Sequence, residues 1–421
     1  MREYITSIDP NAWVEPSDWI DINTVADNEI LLLVTEGAGI GFVVNVGTGT
    51  GTFSIDWGDG VIESGLVGNG TTVFQHQHTT GGKPCSLGYN TWKVRISGAS
   101  ENITIWKIAK HTYTNSLQYP PILSANLGTS YITDYSYAFY NTATRCSVMR
   151  KCKIKSFEAC SSTSQMFTSN WNLASLTLPS SWGNVTNTSY MLNATYLKSI
   201  TLPSSWGNVT NTSNMFRNCY DITSITLPSS WGNVTDVSYM FSTAYSILRI
   251  NLPPSWGNVT NVSNMFSACW VLPSIILPSS WGNVTDVSSM FKNCFALKTI
   301  NNLEYLGSIG TQSNFVDFLS GSDFLQQDII IGSLLSAVGI YGATGKVLKC
   351  TSLRLTNAGS LFAGTSPQVN VSYSSLDATA LDLLFGDLQA LTGKTINITG
   401  CAGAASCTRT IATTKGWTVI G

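Results

Sequence analysis

A nine-residue phrase, Leu-Pro-Ser-Ser-Trp-Gly-Asn-Val-Thr, is written five times in this chain, beginning at Leu178, Leu202, Leu227, Leu252 and Leu277. Only the fourth copy varies, with Pro254 in place of the first Ser. Its tryptophans, Trp182, Trp206, Trp231, Trp256 and Trp281, recur at intervals of 24, 25, 25 and 25 residues. A fixed period of this size restricts the chain to an architecture of stacked repeats, because one such unit is too small to bury its own apolar face.

The unit beginning at Ile222 shows how one repeat folds. Ile222, Ile225 and Leu227 place apolar residues in an I-x-x-I-x-L pattern, and the last two alternate with Thr as in a short strand with one buried face. Pro228 lacks an N–H and ends the ladder. Ser-Ser-Trp-Gly then turns the chain, with Gly232 free to take positive φ. Thr235 or Asp236, ahead of Met240 and Phe241, reads as the N-cap of a single helical or 3₁₀ turn. The predicted coil is strand, corner, short helical segment and return, stacked at roughly 4.8 Å per coil. Burial of roughly 1.5–3 kcal/mol per large side chain is offset largely by chain ordering, so several coils and end caps are required.

The phrase Leu-x-x-Ile-x-Leu-Pro, followed by Trp-Gly-Asn-Val-Thr-Asn/Asp-x-Ser-x-Met-Phe-x-x-Cys, resembles the BspA-type leucine-rich repeat of bacterial surface proteins. The likeness is strong from Met166 to about Leu297. Ile132–Phe139 echoes Val234–Phe241, and Gly310–Val316 and Thr356–Phe362 look like eroded later copies. The resemblance implies a solenoid over residues 111–375, with roughly eight to ten coils of the repeating kind.

Composition fits that reading. Only 11% of the 421 residues are charged, against about 25% in ordinary soluble proteins. The net charge of −2 argues against nucleic-acid binding. No run approaches the ~20 apolar residues of a membrane span. The first ten residues lack the apolar stretch of a secretory signal. Surface proteins of the resembled family need export, so this points to a trimmed chain, or to a virion protein released by host lysis.

Residues 1–28 read as an N-terminal docking arm carrying Trp13 and Trp19, either for a virion partner or for the neighbouring domain. Glu15-Pro-Ser-Asp-Trp19-Ile-Asp-Ile22, with the Asp-Trp-Gly-Asp-Gly that follows at residues 56–60, resembles the N-terminal region of phage tail-fibre-like virion proteins. Residues 29–110 read as a β-sandwich, with strands near 30–34, 41–46, 52–56, 73–78, 91–96 and 103–106 separated by Gly-rich turns. Asp56-Trp-Gly-Asp-Gly60 and Tyr89–Gly98 resemble the motifs of PKD-type immunoglobulin-like domains. Asp56 and Asp59 are turn formers; as calcium ligands they fall short of an oxygen cage. His76 and His78 share one strand face and suit a metal, but no third ligand is evident nearby. Residues 376–421 read as a C-terminal cap: a helix spaced on Leu381, Leu384, Phe385 and Leu388, a strand over 395–399, a helix over 404–415 closed by Gly416, and a last strand from Trp417. The fold class is therefore mainly β with short helices: an N-terminal PKD/Ig-like β-sandwich, a leucine-rich-repeat solenoid of about 25-residue coils, and a C-terminal cap.

No nucleophile elbow, zinc-protease helix or phosphate loop is present, so the chain does not read as an enzyme, and no cofactor or metal is implied. The tryptophans Trp182, Trp206, Trp231, Trp256 and Trp281 are the binding candidates. In register they either form a stacking platform for sugars or cover the coil corners. Asn-Val-Thr spells a glycosylation sequon, or an Asn/Thr ladder between coils. Cys219, Cys269 and Cys294 fill one small slot of the repeat, as buried thiols or as a disulfide between neighbouring coils. Arg145, Arg150, Lys151, Lys153 and Lys155 form the one basic cluster, a solvated face or an anion site. The expected role is a bacteriophage virion fibre or appendage protein, extracellular after host lysis. Its arm and sandwich would attach to other virion proteins, and its solenoid would meet a host surface glycan or protein. By analogy it would be a homo-oligomer, a trimer, without membrane insertion. The alternative is a bacterial cell-surface leucine-rich-repeat adhesin.

Overall fold

The computed structural model describes residues 17, 21, 23–35, 40–85, 89–98, 102–108, 122–128, 131–140, 149–281, 283–302, 318, 329–331, 338–339, 353–355, 368–388 and 390–421. Trp13, Trp19, His111, Arg145, Cys146, Cys350 and the eroded copies at 310–316 and 356–362 lie outside these residues. The chain divides into two compact units, 1–209 and 210–421, taken here in turn.

The first unit opens with β1 (Glu29–Thr35), β2 (Ile40–Val46), β3 (Thr52–Asp56), β4 (Ile62–Val67), β5 (Asn69–His76), β6 (Lys83–Pro84), β7 (Asn90–Gly98) and β8 (Ile103–Ile108). One sheet holds β5, β2 and β8; the other runs β1, β7, β3, β4 with β6 beside β7, all antiparallel. Aromatic residues join the two layers. Phe53 of β3 meets Phe74 of β5 edge to face at 4.9 Å, and Phe42 of β2 stacks on Trp57 at 5.3 Å. The six predicted strands are present. β4 is an addition: its burial pattern lacks the alternation that marks a half-buried strand.

The sandwich does not end in a free edge. Strand β9 (Ile122–Leu127), buried at all six positions, pairs antiparallel with β1 on one side and parallel with β10 (Lys151–Ile154) on the other. β11 (Ser175–Thr177) continues in parallel. The change of sense at β9 joins the sandwich sheet to the first coils of the solenoid, so the sandwich covers the edge that the first coil would expose.

The described part of the N-terminal arm lies on its own unit. Asn126 donates its side-chain amide to the carbonyl of Asn23, Lys151 donates to the side chain of Asn23, and Lys155 pairs with Asp27. The basic cluster is therefore split rather than being one solvated face: Lys151 and Lys155 hold the arm, while Arg150 is buried, which lowers its pKa.

The second unit repeats the coil with β12 (Ser224–Thr226), β13 (Arg249–Asn251), β14 (Ser274–Ile276) and β15 (Thr299–Asn301). β12 pairs with β13, and β14 with β15, in parallel; Ile225 faces Ile250 and Ile275 faces Ile300 in register. Each strand buries only its central Ile.

The Met-Phe segment is not the predicted helical turn. Val237, Tyr239, Phe241 and Thr243 donate their amides to Asn261, Ser263, Met265 and Ser267 of the following coil. The intervening Met240, Ser242 and Ala244 donate within the coil to Val237, Tyr239 and Phe241. A helix would direct all these amides inward and leave the coils unjoined. The alternation requires left-handed backbone at Tyr239 (φ 56) and Thr243 (φ 60), and the same positions recur at Asn214, Asn218, Asn264, Ala268, Ser289 and Asn293. Asp236, expected as a helix cap, instead accepts the amide of Ser238 in an Asx turn at 2.9 Å.

Asn-Val-Thr forms the ladder. The hydroxyls of Thr235, Thr260 and Thr285 each donate one coil back, to the carbonyls of Thr210, Thr235 and Thr260. Asn258 donates to the carbonyl of Gly232 at 3.0 Å. Cys269 and Cys294 are reduced, buried thiols that donate to the carbonyls of Phe241 and Phe266.

Beyond the regular coils stand β16 (Ile329–Ile331), β17 (Val338–Gly339), β18 (Leu353–Leu355), β19 (Gln368–Asn370), α1 (Ala378–Asp387), β20 (Lys394–Asn397), α2 (Thr410–Thr413) and β21 (Trp417–Ile420). Helix α1 buries Leu381, Leu384 and Phe385 as spaced, with Asp377 capping the amide of Ala380. The helix expected over 404–415 is shorter: turns occupy 402–406, and only α2 is helical. β19, β20 and β21 pair in parallel, so the C-terminal segment keeps the sense of the coils. No helix among the described residues is long and apolar enough to cross a membrane.

Candidate functional site

The five repeat tryptophans are core residues. Trp182 and Trp206 in the first unit, and Trp231, Trp256 and Trp281 in the second, are all 0–1% exposed. Their rings stack within each unit: Trp182 on Trp206 at 5.9 Å, and Trp231 on Trp256 at 5.9 Å. The indole N–H of Trp182, Trp256 and Trp281 finds no acceptor among the described residues, at a cost of about 1–3 kcal/mol each. With both faces covered and no exposed edge, these indoles offer nothing to a sugar. The structure places them in the corner-packing role.

A second aromatic row, which the sequence reading did not single out, reaches the surface. It occupies the position just after the small slot of each repeat. Tyr220, Tyr245, Trp270 and Phe295 follow Cys219, Ala244, Cys269 and Cys294. Tyr220 stacks on Tyr245 at 5.1 Å, Tyr245 on Trp270 at 3.9 Å, and Trp270 leans on Phe295 at 5.9 Å. Trp270 is 43% exposed. In the first unit, Trp171 and Tyr196 hold the same place at 5.2 Å. The signal was present as an aromatic residue at a fixed offset in every repeat, obscured because its identity changes among Trp, Tyr and Phe.

Along the coils of the second unit, the row leads to exposed apolar residues beside and on the strands: Leu248, Val271 and Ile276. Between β13 and β14 lies a groove of about 480 Å³ lined by Leu248, Arg249, Asn251, Pro254, Ile276 and Asn302. Arg249 is its one cationic side chain. The rest of the strand face carries Ser, Thr and Asn. The groove is thus apolar and weakly charged, with a single positive point.

The model of the BspA type leucine-rich repeat region matches residues 100–214 and 188–316, in six copies, across more than half of the chain. The chain belongs to the BspA-type leucine-rich repeat family. The matched residues take in the coils whose parallel strands and Asn/Thr ladders are described above. No curated protein and no solved structure matches the chain. The family match begins at residue 100, so the sandwich ahead of it is defined by its own strands.

Within that sandwich, Asp56 and Asp59 build their turn. Asp56 accepts the amide of Gly58 at 2.9 Å, and Asp59 that of Val61 at 3.1 Å. Gly58 is required here: at φ 84, a Cβ would stand 2.5 Å from the carbonyl oxygen of Lys93. The other oxygen of Asp59 meets His76 Nε2 at 2.6 Å. His78, buried beside them, bonds the carbonyl of Trp57 through Nε2 at 2.7 Å. Sequence reasoning placed the two histidines together and missed the carboxylate, which arrives from a turn 17 residues upstream.

Proposed function

We propose that this BspA-type repeat protein is a recognition protein that binds a host surface macromolecule through the outer surface of its coils. The observation that carries this reading is the exposed row around Trp270, continued by Leu248, Val271 and Ile276, on a surface whose other exposed strand residues are Ser, Thr and Asn, with Arg249 and Lys298 as its cations. Exposed apolar residues that line up across repeats mark interaction surfaces. The stacked rings turn edges outward and keep their faces against one another. That favours the side chains of a protein partner over the flat face of a sugar.

The setting proposed is a phage virion, with the N-terminal arm and sandwich on the particle and the coils toward the host. The resemblance of residues 15–22 and 56–60 to tail-fibre-like proteins, and of the sandwich to PKD-type domains, supports it. The assembly is proposed to be a homo-oligomer. A bacterial surface adhesin is the second reading, favoured by the family's occurrence on bacterial surfaces. Binding of labelled full-length protein to host cells tests the recognition role. Trp270→Ser together with Ile276→Ser is expected to abolish binding while leaving the fold intact; undiminished binding by the folded double variant would falsify it. Antibody labelling of purified particles by electron microscopy tests the setting: unlabelled particles would leave the adhesin.

A further inference from the structure

We propose that Asp59, His76 and His78 form a site for a divalent transition ion of the zinc class, completed by water, that ties the Asp56–Gly60 turn to the end of β5. One ligand-capable atom from each of the three side chains lies within 4.8 Å of the others. In a tetrahedral zinc site, ligand atoms stand roughly 3.3 Å apart, as bond lengths near 2.0–2.1 Å require. The group therefore needs a small rearrangement: the hydrogen-bonded pair of Asp59 Oδ2 and His76 Nε2, now at 2.6 Å, gives up its shared proton and opens by about 0.7 Å, while the wider separations contract.

Three observations make this more than a chance cluster. First, the atoms not needed for the ion are already committed. Asp59 uses Oδ1 to accept the amide of Val61, which leaves Oδ2 turned to His76. His78 uses Nε2–H on the carbonyl of Trp57, which fixes its tautomer and leaves Nδ1 with a free lone pair. A backbone carbonyl on the far nitrogen is the usual outer support of a metal-bound imidazole.

Second, the rings are held in place. Trp57 stacks on His76 at 4.8 Å and on Phe42 at 5.3 Å, while Trp92 lies 5.0 Å from His78. The His76 and His78 rings meet nearly at right angles, 4.9 Å apart. Two residues apart along an extended chain, they share one face.

Third, the donor set is that of a transition ion. Two imidazoles and one carboxylate exclude calcium and magnesium, which take oxygen ligands, and suit zinc or cobalt. The His76 side chain is 19% exposed, which gives the ion and its water a way in.

The test uses the full chain, stripped with chelator and titrated with Zn²⁺ in a calorimeter and with Co²⁺ in a spectrophotometer. One equivalent per chain is expected, with the intense visible absorption of four-coordinate cobalt and a rise in melting temperature with zinc. His76→Gln and Asp59→Asn keep the shape of each side chain and the turn bond to Val61. Each is expected to weaken binding by about 100-fold and to erase the zinc-dependent rise. Melting in chelator shows that the variants fold. Overturning results are a wild-type chain that takes up no stoichiometric zinc, or folded variants that bind as tightly as wild type, which would move the ion to the cysteines.

Discussion

Tyr245 and Trp270 lie face to face, ring centroids 3.9 Å apart and planes 21° from parallel, yet Trp270 keeps 43% of its surface in solvent. Trp256, from the same coil as Trp270, stacks just as regularly on Trp231 and is wholly buried. One repeat thus carries two aromatic rows, one for cohesion and one facing outward. Trp256→Ala is expected to cost about 3–5 kcal/mol, the loss typical of a buried aromatic. Trp270→Ala is expected to cost about 1 kcal/mol, the value of one exposed aromatic pair, and to reduce adhesion. Urea denaturation followed by circular dichroism, beside the cell-binding assay, separates the two.

The left-handed positions predict an unusual gain. Ala268 sits at φ 58, a region that costs a non-glycine residue about 1–2 kcal/mol. Ala268→Gly is expected to stabilise by about 0.5–1 kcal/mol, since relief of strain exceeds the added freedom of the unfolded chain. Ala268→Val, with its branched Cβ, is expected to destabilise by about 1–2 kcal/mol. Paired thermal melts would show opposite shifts.

Burial makes the coil cysteines inert. It pushes the thiols of Cys160 and Cys294 up to about 12 and that of Cys269 well above its ordinary value. A raised pKa keeps the neutral thiol at pH 8, and only the thiolate attacks an alkylating reagent. Mass spectrometry after iodoacetamide treatment is expected to find these three unmodified in the native chain and modified in guanidinium. Rapid native labelling of Cys294 would contradict the placement.

The pairing of β9 with β1 makes the sandwich an end cap. A chain beginning at residue 111 would keep β9 and lose its antiparallel partner, baring a row of backbone groups beside six buried residues. Such an edge recruits other strands. Size-exclusion chromatography is expected to show aggregates for that chain and a defined species for the full one.

Much of this was legible in the sequence because it is local. The period fixed the coils, Pro and Gly marked the corners, and alternation around Ile225 gave the strand. The Met-Phe turn was misread because Asp-x-Ser-x-Met-Phe satisfies a helix locally, whereas the decisive hydrogen bonds go to a coil 24 residues away, from Val237 to Asn261. The approach of Asp59 to His76 is likewise made by sheet topology, and no spacing rule reports it. The outward row escaped because Tyr220, Tyr245, Trp270 and Phe295 share a shape but not a letter.

The amides of Val237, Tyr239, Phe241 and Thr243 all reach toward the following coil, so their bonds lie along the stacking direction. Tension applied along that direction within these coils loads the bonds in line, with all rows in series under the same force, so the weakest row opens first. The coils then yield singly, each releasing about 80–90 Å of chain for its roughly 25 residues at full extension. Each coil that opens lengthens the chain and lowers the load on the coils still closed.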